Sequence, residues 1–234
     1  MTYFVSDIHG EYDLFLNLLD KIRFSECDTM YVLGDIIDKG SNSIKLVDFI
    51  RRQPNMRAIL GNHEYVFLKY YYGLLRSVKT ENDVDEVFRK LQNYFPEEKE
   101  KISWEAVEFI ENLPFYIEDD DFICVHAGVE TDENGIILPI KSQIPEVMVY
   151  SRNFKEKSFY LSSKNKTVLF GHTPCSYEND SGEFIKTPKL GTATPQRLAD
   201  YAKIQLDCGV FLTGIIGALR LEDMQEFYVE KYNF

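Results

Sequence analysis

The sequence predicts an α/β fold built on a largely parallel sheet, and three observations carry the prediction. Short apolar runs alternate with stretches of helical period through the first sixty-odd residues, as consecutive strand–helix–strand units do. The 234 residues, 44% hydrophobic and 27% charged, can bury a substantial core without staples. Three of the four histidines, with several acids and an amide, stand immediately after apolar runs, where sites form in open α/β sheets.

The elements follow in order. Tyr3-Phe4-Val5 is the first run, and Leu14, Leu18, Leu19 and Ile22 then recur at helical spacing. Met30-Tyr31-Val32-Leu33 is the second, followed by Ile44, Val47 and Ile50 on a helix that Pro54 ends. Ala58-Ile59-Leu60 is the third run, and a helical pattern resumes near His63. Residues 65–112 read as mostly helical, and Phe115 to Val125 as a hairpin turning at Asp119-Asp120-Asp121. Residues 130–165 read as irregular. Strands are expected at Thr167 to Phe170, Lys203 to Leu206, Ile215 to Leu221 and Glu226 to Glu230, the last of them pairing as an antiparallel meander. No repeat, low-complexity tract or linker interrupts the chain. Residues 1–234 therefore read as one domain with a helical insertion at roughly 65–114.

Net charge is −12 and the sequence pI about 4.9, so a general binder of extended nucleic acid is not expected. The apolar runs fall well short of the ~20 residues that cross a bilayer, and no membrane partner is expected. Cys27, Cys124, Cys175 and Cys208 form no CxxC pair, and three adjoin apolar runs, as buried reduced thiols do. With a strand expected to begin at Thr2 or Tyr3, no targeting segment is expected before the first run. Together these point to the cytoplasm. The sequence does not indicate an oligomeric state.

Asp7 and His9 follow the first run, Asp35 and Asp38 the second, and Asn62 and His63 the third. His126 follows Phe122 to Val125, and His172 follows Thr167 to Phe170. Asp7 and His9 are two apart, so on an extended chain both would leave one face. Imidazole nitrogens with carboxylate and amide oxygens, and no thiolate, suit Mn²⁺, Fe or Zn²⁺. Singly, each residue has a plain alternative as a turn residue or helix cap. Turn chemistry does not, however, require every histidine to sit at such a position.

The motifs support this. Ser6-Asp7-Ile8-His9-Gly10, Gly34-Asp35-Ile36-Ile37-Asp38-Lys39-Gly40 and Gly61-Asn62-His63-Glu64 resemble the three signature blocks of the phosphoprotein phosphatase family of calcineurin-like metallophosphoesterases. Val125-His126-Ala127-Gly128 and Phe170-Gly171-His172-Thr173-Pro174 resemble its fourth and fifth blocks. Tyr150-Ser151-Arg152 is similar to the segment carrying a phosphate-binding arginine. Leu206-Asp207-Cys208-Gly209 with Ala218-Leu219-Arg220-Leu221 resembles the closing strands of the bacterial branch. The likeness touches most of the chain except roughly 70–115 and 175–200.

The resemblance implies a two-sheet β-sandwich flanked by helices, an αββα arrangement with its site at the carboxyl ends of strands. It also implies two divalent metal ions, with Mn²⁺ favoured and Fe or Zn²⁺ as alternatives. Asp7, His9 and Asp35 would hold the first ion. Asp35 would bridge to the second, completed by Asn62, His126 and His172. His63, oriented by Asp38, would face the leaving group, while Arg152, Lys39 and Asn62 would contact phosphate. Lys39 departs from the family's usual arginine, which keeps the charge but loses the two-point grip on phosphate.

The short chain favours hydrolysis of phosphoserine or phosphothreonine monoesters in a protein or peptide, by in-line attack of a hydroxide held between the ions. A symmetrical dinucleoside tetraphosphate hydrolase or a broader phosphodiesterase, acting on a nucleotide phosphoester, is the alternative. An inactive phosphatase-fold binding protein is a minor one. Tyr65, Phe67, Tyr70, Tyr71 and Tyr72 are expected to be the buried face of a helix rather than a substrate platform. The acidic stretch 81–86 is expected to be a solvated helix face.

Overall fold

Parallel strands need crossovers of a dozen or more residues, and helices commonly supply them. A computed structural model describes residues 1–80, 82–96, 98, 100–156 and 166–231. Strand β1 (Thr2–Val5), helix α1 (Tyr12–Ile22), β2 (Thr29–Val32), α2 (Ser43–Arg51) and β3 (Met56–Ala58) open the chain as two βαβ units. Helices α3 (Asn62–Leu75), α4 (Asn82–Tyr94) and α5 (Trp104–Glu111) come next. The hairpin β4 (Tyr116–Glu118) and β5 (Phe122–Val125) follows, then α6 (Pro145–Tyr150) and β6 (Thr167–Phe170). The chain continues with β7 (Ile185–Pro188), β8 (Tyr201–Gln205), α7 (Val210–Thr213), β9 (Ile215–Arg220) and β10 (Glu226–Glu230).

The strands form two five-stranded sheets, ordered β10-β9-β1-β2-β3 and β4-β5-β6-β8-β7. In the first, β1, β2 and β3 are parallel and fill one side, with β9 pairing antiparallel to β1 and β10 to β9; in the second, β5, β6 and β8 are parallel between antiparallel β4 and β7. Because strands in a parallel group run the same way, their carboxyl ends share one edge.

Alternation along the strands builds the layers. On β1, Phe4 points into a core shared by both sheets, while Tyr3 and Val5 face the helices. In the shared core Phe4 stacks on Tyr31 at 5.3 Å, and Phe122 from the opposite sheet meets both edge-on at 5.1 and 5.3 Å. Leu14, Phe15, Leu18 and Ile22 are the buried stripe of α1. A third core, with Val125, Val168, Phe154 and Met148, covers the far face of the second sheet. The two-sheet sandwich flanked by helices is thus the observed fold.

Several boundaries differ from the sequence reading. β3 begins two residues before the expected run, since Met56 and Ala58 are buried around an exposed Arg57, and Ile59 and Leu60 stay buried beyond it. The closing meander holds only for β9 and β10. β8 leaves for the other sheet, where it pairs with β6 and β7. β7 has no apolar run to announce it, because it is an edge strand. The hairpin turns where expected, with the Asp119 amide donating to the Phe122 carbonyl.

In the helical stretch, Phe67 and Tyr71 are buried, Tyr65 is half-buried, and Tyr70 and Tyr72 are exposed. Packing thus explains part of the aromatic group only. Asp85 and Glu86 are exposed on α4, as a solvated face requires, while position 81 lies outside the described residues. The irregular stretch contains α6 and a 3₁₀ turn at Ile140–Ser142, and its residues 157–165 lie outside the described residues. Cys124, Cys175 and Cys208 are buried and free, and Cys27 is exposed. Among the described residues no helix is long and apolar enough to cross a membrane.

Candidate active site

The carboxyl ends of β1, β2, β3, β5, β6 and β8 deliver Asp7, Asp35, Asn62, His126, His172 and Asp207 to one edge of the sandwich. The backbone there is costly. Eight described non-glycine residues have positive φ, and six of them are Asp7, His9, Asp35, Asp38, Lys39 and His172. Left-handed backbone costs a side-chain-bearing residue about 1 kcal/mol or more, and such strain concentrates where function over-determines it. Asp7 and His9 therefore do not share a face of an extended strand, as their spacing suggested. β1 ends at Val5, and both residues lie in left-handed turns.

Glu64 holds much of this arrangement. It is fully buried at the third position of α3, and its carboxylate accepts the amides of Asp35, Ile36, Ile37 and Gly61 at 2.8–3.0 Å. The link back to Gly61 is half of a capping box, and the other three bonds clamp the loop after β2. Close packing demands glycine at two places. A Cβ on Gly61 would strike Asp35, and one on Gly171 would strike the side chains of Ser6 and Asp7.

The donors fall into two groups that share Asp35. His9, Asp35 and His63 form one; Asp35, His126 and His172 form the other. His9 Nε2 lies 3.5 Å and His63 Nε2 3.9 Å from Asp35 Oδ2, and His126 Nε2 is 3.4 Å from Asp35 Oδ1. Asn62 Oδ1 joins the second group, 2.8 Å from His172 Nδ1 and 3.1 Å from His126 Nε2. Backbone carbonyls set two ring orientations. His9 Nδ1 contacts the Ile37 carbonyl at 3.1 Å and His126 Nδ1 that of Leu33 at 2.7 Å, so each Nε2 faces inward.

Asp7 lies beside both groups rather than within them. Its carboxylate accepts from the Ser6 hydroxyl and the His172 amide. His63 Nδ1 bonds Asp38 Oδ2 at 2.8 Å, which leaves Nε2 toward the site. Lys39 Nζ lies 2.8 Å from His9 Nε2. Arg152 is exposed just beyond α6, close enough for its charge to act on His172.

Burial lowers His9 to a pKa of about 4 and, helped by the charges of His126 and Arg152, His172 to about 3; both are thus neutral bases near pH 7. Burial raises Asp7 to about 6. Burial would lower His126 too, but Asp35 and then Asp7 push it up to about 10. Burial disfavours charge on Asp7, Glu64 and Asp207, whereas against burial His126 and then His9 hold Asp35 charged, and the proton held on His126 marks a pocket whose field favours a cation. With that field, the neutral rings of His9 and His172, a His126 proton that a metal ion would displace, and no thiolate among the donors, the set fits divalent metal ions.

Two contributors escaped the sequence reading. Glu64 was visible as a motif residue, but its four amide bonds were not. Tyr94 donates to Asp38 Oδ2 at 3.2 Å from the end of α4, 56 residues along the chain from its partner. No local pattern marks such a contact.

Comparison with known proteins agrees with this geometry. The chain is 31% identical over 135 residues to a symmetrical bis(5'-nucleosyl)-tetraphosphatase of Aggregatibacter actinomycetemcomitans, a match covering 56% of this chain and 45% of the relative. The chain thus spans a little under half the length of that relative. It is 24% identical to the asymmetrical bis(5'-nucleosyl)-tetraphosphatase PrpE of Bacillus velezensis, over 97% of this chain and 91% of the relative. A structure assigned provisionally as a diadenosine tetraphosphatase shares the fold, with a TM-score of 0.68 at 19% identity, over 100% of this chain and 94% of that one. The model of the calcineurin-like phosphoesterases matches residues 2–190, the span that brings in every donor of the two groups, and the chain belongs to that family.

Proposed function

We propose that the chain is a metal-dependent phosphoesterase that hydrolyses a dinucleoside tetraphosphate. One observation carries the reaction class: two donor groups meet at a shared, buried Asp35. The substrate preference rests on the curated relatives, both symmetrical and asymmetrical tetraphosphatases by name. The sequence alone leans toward phosphoserine and phosphothreonine, and the relatives move that preference.

Asp7, His9 and Asp35 would hold one divalent ion, and Asp35, Asn62, His126 and His172 the other, with Mn²⁺ favoured. Such ions cancel phosphate charge and make water acidic enough to attack near neutral pH. The protein's own groups do the rest. Lys39 and Arg152 bring positive charge to the phosphate oxygens, and Asn62 adds an amide donor. Asp38 accepts from His63 Nδ1 and fixes the ring, so Nε2 can pass a proton to the departing oxygen. The same groups would serve a phosphomonoester, so substrate choice lies in what flanks them.

The test compares Mn²⁺-supported turnover of diadenosine tetraphosphate and a phosphoserine peptide, with metal analysis of the purified protein. Faster nucleotide release is expected. Faster phosphate release from the peptide overturns the substrate, and cleavage of neither overturns the reaction class.

A further inference from the structure

We infer that Phe211 forms a nucleobase-stacking subsite beside the phosphate site, which selects nucleoside phosphates over phosphate alone. This rests on the nucleotide reading above and adds the residue that would read the nucleoside.

Phe211 lies on α7, a single turn bounded by Gly209 and Gly214, both at positive φ. That turn follows β8 directly, so it stands at the same carboxyl edge as the site. Its ring centroid is 5.9 Å from the His9 ring, yet Phe211 is 44% exposed. An aromatic ring at the rim of a phosphate site, with much of its surface in water, is available for stacking.

A cavity of about 430 Å³ opens beside it, lined by Phe211, Lys39, Gly40, Asn17 and Asn42. That volume lies in the ~300–1,000 Å³ range typical of small-ligand sites. The cavity shares Lys39 with the site, so a ligand can reach from one into the other.

Charge divides the cavity's tasks. Lys39 Nζ lies 5.9 Å from the Phe211 centroid, and no carboxylate pairs with it among the described residues. Lys39 directs one N–H at His9 Nε2, 2.8 Å away, and its other two can meet a phosphate. Lys231, at 6.0 Å from the same ring, is instead paired with Glu11 at 2.8 Å. Glu11, Asp13 and Glu230 also line the cavity. These carboxylates repel phosphate but can accept from the exocyclic amine of a base, as the amides of Asn17 and Asn42 can. One ammonium toward the reacting phosphate, one exposed ring, and acceptors around it fit a nucleoside joined to a phosphate chain.

The experiment compares α,β-methylene-ADP with methylenediphosphonate, a non-hydrolysed pair differing by the adenosine. Calorimetry on the Mn²⁺-loaded protein gives the ratio of their dissociation constants. The wild type is expected to prefer the nucleotide by about tenfold, since stacking on an aromatic side chain is typically worth roughly 5- to 150-fold per base. Phe211→Ala should bring the ratio close to one, and Phe211→Trp should restore it. Thermal melts confirm that both variants are folded. A wild-type ratio near one, or a preference that survives Phe211→Ala, overturns the subsite. Retained preference in a protein that cleaves no phosphoester supports the subsite and overturns the proposed activity, so the two failures are separable.

Discussion

The two sheets feed the site in different ways. In the first, each strand of the parallel group β1, β2 and β3 ends in a cluster: Asp7 with His9, Asp35 with Asp38 and Lys39, Asn62 with His63. In the second, β5 and β6 end in one imidazole each, His126 and His172. Five of the six left-handed site residues belong to the first sheet's loops and only His172 to the second's. Packing several functional groups into one short loop forces the backbone out of its low-energy regions. A single side chain at a strand end needs less distortion. The first sheet's loops therefore need an internal clamp, and Glu64 provides it.

Four substitutions can break or sharpen this contrast. Asp35→Asn should have the largest effect, because Asp35 is the donor common to both groups. Turnover should fall about 10³-fold or more, with loss of bound metal on dialysis. Full activity would refute the shared role. His63→Asn should keep metal and slow hydrolysis by roughly 10²–10⁴-fold, most for substrates with poor leaving groups. Loss of metal would instead place His63 among the ligands, as its position in the first donor group allows.

Glu64→Gln should lower unfolding stability by about 2–4 kcal/mol in urea titration, because an amide cannot accept from four amides as a carboxylate does. An unchanged midpoint would mean that the first sheet's loops hold themselves. Tyr94→Phe should be mildest, slowing turnover a few-fold through Asp38. In a His63→Asn background it should cost nothing further, and full additivity would show that Tyr94 does not act through the His63–Asp38 pair.

Some of this was legible along the chain. Placing Asp7, Asp35, Asn62, His126 and His172 after apolar runs required only strand recognition and the rule that parallel strands end together. The unusual backbone was not legible. Spacing suggested that Asp7 and His9 share a strand face, whereas both sit in left-handed turns. The edge strand β7 was missed because an edge needs few apolar residues. β8 was placed with its chain neighbours, although pairing to β6 buries it in the other sheet. Of the helical stretch, the residue count and period were readable, but not the reach of Tyr94 to Asp38.

The sequence by itself determined the chemistry available: which apolar strands form, which polar groups follow them, and that nitrogen and oxygen donors without thiolate gather at one edge. Those properties are local, set by side-chain period and residue type. Only the tertiary structure decided which sheet each strand joins, that the two donor groups share Asp35, and what stands beside them, from the Glu64 clamp to the open face of Phe211. Such facts depend on contacts between residues tens of positions apart, and no local pattern encodes a distance across the fold.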